Sequence, residues 1–296
     1  MQLLADRTLW IIVALAAAIT VINAAKPAHV DDWCTVIDAR EFAAHPAAPY
    51  AFEYDFTPYA SNANSILLPP VLPYCLGIAA AAGYSDLFSL KLMLFPFVAL
   101  LLASLRSLLA WSGCPYPLLF AAAFALGPGV FAGMNCMLDV PALALELTAI
   151  RLILTAIRKE SWLIAVAAGA VAGLGMETKY TATAAIPVMI FAGLCFGRVR
   201  YGILAALVAG SMFVGVEAWL ASVHGQSPFM AALGIRSGST LKRMAQLAMP
   251  TFTLLGIMAF VPATLILQSI GRKRTAYTLA LLAILTPAIL AVTVQR

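Results

Sequence analysis

Charge is what this sequence has least of. Only 10% of its 296 residues are Asp, Glu, Lys or Arg, against about 25% in soluble domains. With 63% hydrophobic residues and a mean hydropathy of +0.95, the chain has too little polar side chain to cover a soluble globule, and that class is excluded. The alternating pattern of an outer-membrane barrel is missing too, as are a repeat of fixed period and a low-complexity tail. Histidine occurs three times, as His29, His45 and His224, too dispersed for a metal cluster. Cys34, Cys75, Cys114, Cys136 and Cys195 are an odd number without zinc-type spacing and read as small apolar residues. One disulfide stays open, Cys34 with Cys136. Acids are outnumbered 18 to 13, and the net charge of +5 would suit nucleic acid. The cations, however, stand singly or in short groups between apolar runs, which is the positive-inside distribution of a membrane protein and leaves nucleic acid out as a partner.

What is abundant is apolar runs near membrane length. A bilayer gives the backbone no water to bond, so such runs cross it as helices. The fold class read from them is all-α, a polytopic transmembrane bundle of about nine spans forming a single domain over 1–296. The predicted spans are 9–25, 87–110, 116–133, 140–157, 162–176, 181–196, 201–221, 247–268 and 277–294. Arg7 ahead of the first run resembles a signal peptide, but Lys26-Pro27 directly after it favours an uncleaved helix. The stretch 26–65 is the longest polar segment, with a helix predicted at 33–44. Segment 66–83, broken by Pro69, Pro70 and Pro73, is placed as a helix lying at the interface.

This assignment gathers Arg7, Arg106, Arg158, Lys159, Arg198, Arg200, Arg272, Lys273 and Arg274 on one side, the cytoplasmic one by the charge rule. Asp31, Asp32, Asp38, Glu41, Glu53, Asp55, Asp86 and Asp139 fall on the other, where chemistry is therefore expected. Cations also occur there: Lys26, Arg40, Lys91, Lys179, Arg236, Lys242 and Arg243.

Four outer features carry the candidate chemistry. In His29-Val30-Asp31-Asp32-Trp33, adjacent carboxylates near the membrane surface suit a general base or a cation ligand, while Asp32 as a helix cap is the plain alternative. Asp139, before Val140-Pro141, reads either as an N-cap or as a second acid at the mouth of the bundle. Lys179 either meets a phosphate, snorkels to the interface or pairs with Glu177. Arg40 binds a lipid phosphate or lies among headgroups. Inside the membrane, Glu146, Arg151 and Glu217 are charges that must face the bundle interior or an end, and a path through Glu146 is the transporter reading. Paired broken helices in matching halves, which that reading needs, are not visible.

The order of these elements resembles the membrane glycosyltransferases of the GT-C class, in particular the bacterial relatives of dolichyl-phosphate-mannose protein mannosyltransferases and lipid A aminoarabinose transferases. The resemblance rests on His29-Val-Asp31-Asp32, the stretch 39–46, Pro69-Pro70, Leu138-Asp139-Val140-Pro141 and Thr178-Lys179-Tyr180-Thr181, and covers about 1–185. It implies a sugar transfer from a polyprenyl-phosphate donor to a lipid, glycan or protein acceptor outside the cytoplasm, at a bacterial inner membrane. Asp31 would deprotonate the acceptor, Asp32 would support it, and Asp139 would be the second acid. Lys179 and Arg40 would neutralise the donor phosphate, with Tyr180 and His29 beside them. A divalent cation held by Asp31 and Asp139 is the one cofactor that fits an acid pair. The family's chains are longer, so a shortened relative serving as a partner subunit is a third reading beside transferase and transporter or flippase.

Overall fold

The computed structural model describes residues 2–54, 61–63, 69–131 and 134–235. The predicted spans 247–268 and 277–294, with Arg236, Lys242 and Arg243, lie outside the described residues. Helix α1 is Gln2–Ala24, and α2, Val30–Ala44, occupies the polar segment after it, where a helix over 33–44 is expected from the sequence. A two-residue ladder follows, β1 Glu53–Tyr54 antiparallel to β2 Ser61–Asn62. Then come α3 Val71–Ala81, α4 Leu87–Leu92, α5 Phe95–Trp111, α6 Pro117–Leu126, α7 Pro128–Phe131, α8 Asp139–Lys159 and α9 Trp162–Met176. A 3-10 turn, Tyr180–Ala184, leads into α10 Ala185–Cys195, and α11 Val199–His224 and α12 Pro228–Ile235 complete the described chain.

Four apolar stretches are long enough to cross a membrane: Arg7–Ala24, Leu87–Trp111, Asp139–Lys159 and Val199–His224. These define a helical protein with four membrane-length helices among the described residues, at the predicted spans 9–25, 87–110, 140–157 and 201–221. Three other predicted spans are apolar helices of less than membrane length. Helix α6 stops at Leu126 because Gly127 turns extended before Pro128, which starts the separate α7. The run 181–196 opens as a 3-10 turn, and 162–176 is helical over its whole predicted range, fifteen residues in all. In segment 66–83, described from residue 69, helix α3 starts directly after the Pro69-Pro70 pair, whose missing N–H groups suit a helix start.

Helix α8 is the hub. Its membrane-length window is 78% buried, against 22% for α11, so α8 is wrapped by other helices while α11 presents most of its apolar surface outward. Leu207 and Val214 of α11 are exposed, as are Trp10 of α1, Leu119 and Phe120 of α6 and Leu163 of α9. Small residues allow the closest approaches. A side chain on Gly169 would collide with the Ala205 carbonyl and lie 2.7 Å from the Val208 Cβ, so α9 and α11 touch backbone to backbone. Across the hub, Ser104 of α5 and Thr148 of α8 share a buried hydroxyl bond of 2.9 Å.

The ends segregate by charge. At one end the Trp111 and Phe196 rings meet at 5.7 Å, Glu160 pairs with Arg198 at 2.5 Å, and Arg200 lies 5.2 Å above the Trp162 ring. The opposite end brings together the 26–29 linker, α2, α4, the 134–138 loop and the turn after α9, where the acids lie.

Candidate functional site

At the acidic end, the side chain of Asp32 is fully buried and pairs at 2.9 Å with the equally buried ammonium of Lys91. Asp32 is the third residue of α2, and its Oδ2 accepts from the His29 N–H at 2.7 Å, the reach-back of a capping box. Its Oδ1 accepts from the Cys136 N–H at 2.8 Å, while Thr35 one turn along donates to the Cys136 carbonyl at 2.7 Å. Lys91 also donates to the carbonyls of Lys26 and Pro27, both at 3.3 Å, and Lys26 donates to the Phe131 carbonyl at 2.7 Å. A single ion pair thereby joins three separate stretches of chain, the 26–29 linker, α4 and the 134–138 loop.

The second pair sits at the start of α8. Lys179 donates to Oδ1 of Asp139, and both side chains are partly open, 33% and 51% exposed. The two are 40 residues apart in sequence, yet the turn after α9 lays Lys179 against the first residue of α8. Asp139 is therefore not a cap: the capping position is Leu138, which makes no side-chain bond. Lys179 likewise does not pair with Glu177.

A third group of acids lies alongside. Tyr180 donates to Oε1 of Glu217 at 2.9 Å, and the Phe229 N–H donates to Oε2 at 3.1 Å. Glu177 is buried, with neither carboxylate oxygen bonded, and Asp38 on α2 is buried with Oδ1 unbonded. Burial pushes the Asp38 carboxyl up to about 7. Burial, and secondarily the charge of Glu217, pushes Glu177 up to about 8. The phenol of fully buried Tyr50 rises through burial and through the charges of Asp38, Glu177 and Glu217, so these acids face it from three elements. Phe42 and His224 pack edge-on against Tyr50 at 5.1 and 5.7 Å, seating α2 over the end of α11.

Of the sequence-derived residues, Asp32, Asp139, Lys179 and Tyr180 converge on this end, and Asp31 is the second residue of α2, next to the clamp. His29 enters through its backbone. Arg40 is directed elsewhere, donating to the Ser85 carbonyl at 3.1 Å on an exposed surface, because α2 carries it toward α4. No disulfide joins Cys34 and Cys136, both free thiols, and Cys136 is taken into the Asp32 clamp instead. Of the two acids expected to hold a divalent cation, Asp139 is paired with Lys179, and among the described residues no group of three His, Cys, Asp or Glu side chains gathers. Sequence reasoning missed Lys91, which reads as one more boundary cation until its burial is seen. Glu177, Asp38 and Tyr50 carry no motif, and only their spacing from the acidic loop distinguishes them.

Compared with family models and with curated proteins, the sequence matches none. The class that fold and site define is an all-helical bundle with membrane-length helices and a charged, partly open site at one end.

Proposed function

We propose that this chain is an integral membrane glycosyltransferase that moves a sugar from a polyprenyl-phosphate donor to a lipid, glycan or protein acceptor on the extracytoplasmic face. The observation that carries the reading is the convergence of the α2 start, the 134–138 loop, Asp139 and Lys179 at the end of the bundle opposite the arginine-rich one. Transfer needs a base for the acceptor hydroxyl and a cation for the departing phosphate. Asp31 takes the proton, the acceptor oxygen attacks the anomeric carbon, and the sugar's bond to the phosphate oxygen breaks. Lys179, one-third exposed and aimed by Asp139, receives the charge left on the phosphate. Asp32 is not the base, because both its oxygens are spent on Lys91 and two backbone N–H groups; it fixes the turn that bears Asp31. Incorporation of labelled sugar from polyprenyl-phosphate donors into membranes carrying the chain is the test. Asp31→Asn abolishes it with normal insertion, and an active Asp31→Asn protein overturns the assignment.

A second reading, a transporter or flippase, draws on Glu146, buried within α8 with neither carboxylate oxygen bonded. It gains if Glu146→Gln stops substrate movement while Asp31→Asn has no effect.

A further inference from the structure

The arginine-rich end holds a feature that the proposed transfer does not use. Beyond the buried Ser104–Thr148 contact, α5 and α8 line a cavity of about 500 Å³, whose walls include Ser107 and Trp111 from α5 and Arg151, Thr155 and Arg158 from α8, with Lys159 at its edge. Arg151, Thr155 and Arg158 recur at four and three residues, which sets them on one helix face. A second cavity of about 290 Å³ shares Trp111, Leu154 and Arg158 with the first.

The charge in the cavity is uncompensated. Glu160, which lines the second cavity with Arg158, is occupied by Arg198 at 2.5 Å and Arg200 at 3.9 Å, and Arg200 is further covered by the Trp162 and Tyr201 rings. No ion pair reaches Arg151, Arg158 or Lys159 among the described residues. Helices α5 and α8 both end here, and each C-terminus contributes only about half a negative charge. Three full cations outweigh two such ends, so the cavity is net positive. Buried Leu108 and Leu154 form an apolar wall beneath the cations.

We propose that this cavity binds the phosphate headgroup of an anionic membrane phospholipid. The cations and the Ser107 hydroxyl hold the phosphate while an acyl chain lies along the Leu108–Leu154 wall. A free phosphate satisfies the cations but leaves that wall uncovered, which is why the lipid is the occupant chosen.

The test uses the full chain in non-ionic detergent, titrated with phosphatidylglycerol, phosphatidylcholine or inorganic phosphate and read as bound adduct by native mass spectrometry. Phosphatidylglycerol binds at least about tenfold more tightly than phosphatidylcholine, and each cation removed costs about fivefold. Arg151→Gln with Arg158→Gln therefore loses about 25-fold, and Arg200→Gln, outside the cavity, loses nothing. Should the double variant fail to fold, Lys159→Gln, at an exposed position, gives the single fivefold step. Equal binding of the two lipids, equal loss in Arg200→Gln, or inorganic phosphate binding as tightly as phosphatidylglycerol each overturns the proposal.

Discussion

Replacing Asp32 by Asn tests whether one buried charge pair organises the acidic end. The substitution keeps the side-chain volume but removes the charge facing Lys91, and sets an amide NH2 among the Lys91 ammonium and the N–H groups of His29 and Cys136. Lys91 is 1% exposed and retains only two carbonyl contacts at 3.3 Å, so its charge is left nearly uncompensated. Breaking a buried pair in this way costs about 3–5 kcal/mol. At roughly 2 °C per kcal/mol for a chain of this size, the melting temperature in detergent falls by about 6–10 °C. Adding Lys91→Met removes the stranded charge and restores most of the loss, leaving about 1 kcal/mol for the lost backbone acceptor. A second reading of the same event is chemical. Cys136 is 1% exposed, with its thiol pushed up to about 12 chiefly by burial, so in a background lacking the other four cysteines it resists maleimide. Release of the 134–138 loop in Asp32→Asn makes it reactive. A melting temperature within 2 °C of the parent, an unreactive Cys136 and a double variant no better than the sum of the singles would refute the clamp.

Asp38 gives a pH dependence outside the membrane-length helices. Its folded carboxyl, pushed up to about 7 by burial, binds a proton more tightly than in the unfolded chain. The stabilisation is complete below the ordinary carboxylate range near 4 and is lost as pH rises toward 7, at up to about 1.4 kcal/mol per pH unit. Thermal scans in this window lose the Asp38 share of the slope in Asp38→Asn and keep the share of Glu177, whose carboxyl is likewise raised. Gly169→Val pushes α9 from α11 against Ala205 backbone and fails to accumulate as folded protein, measured by size-exclusion recovery in detergent. Lys179→Met removes a half-open ion pair, which changes stability by less than about 1 kcal/mol. If Lys179 receives the donor phosphate, transfer nevertheless drops by orders of magnitude in the labelled-sugar assay, with melting unchanged.

The sequence by itself determined the helical, membrane-compatible class, because 63% apolar residues in long runs leave the backbone few other ways to satisfy its hydrogen bonds. It also determined the helix in the polar segment after α1, the limits of α9 and the gathering of arginines at one end, all of which follow from local composition. Tertiary structure decided the pairings. Lys91 looks like an ordinary boundary cation until α4 buries it against Asp32, and Asp139 looks like a cap until the turn after α9 delivers Lys179 to it. Such partners stand 59 and 40 residues apart in the chain, a separation that periodicity and capping rules, acting over a turn or two, cannot bridge. The short reach of α6 was decided at Gly127-Pro128, where a local break outweighs an apolar run that would otherwise continue.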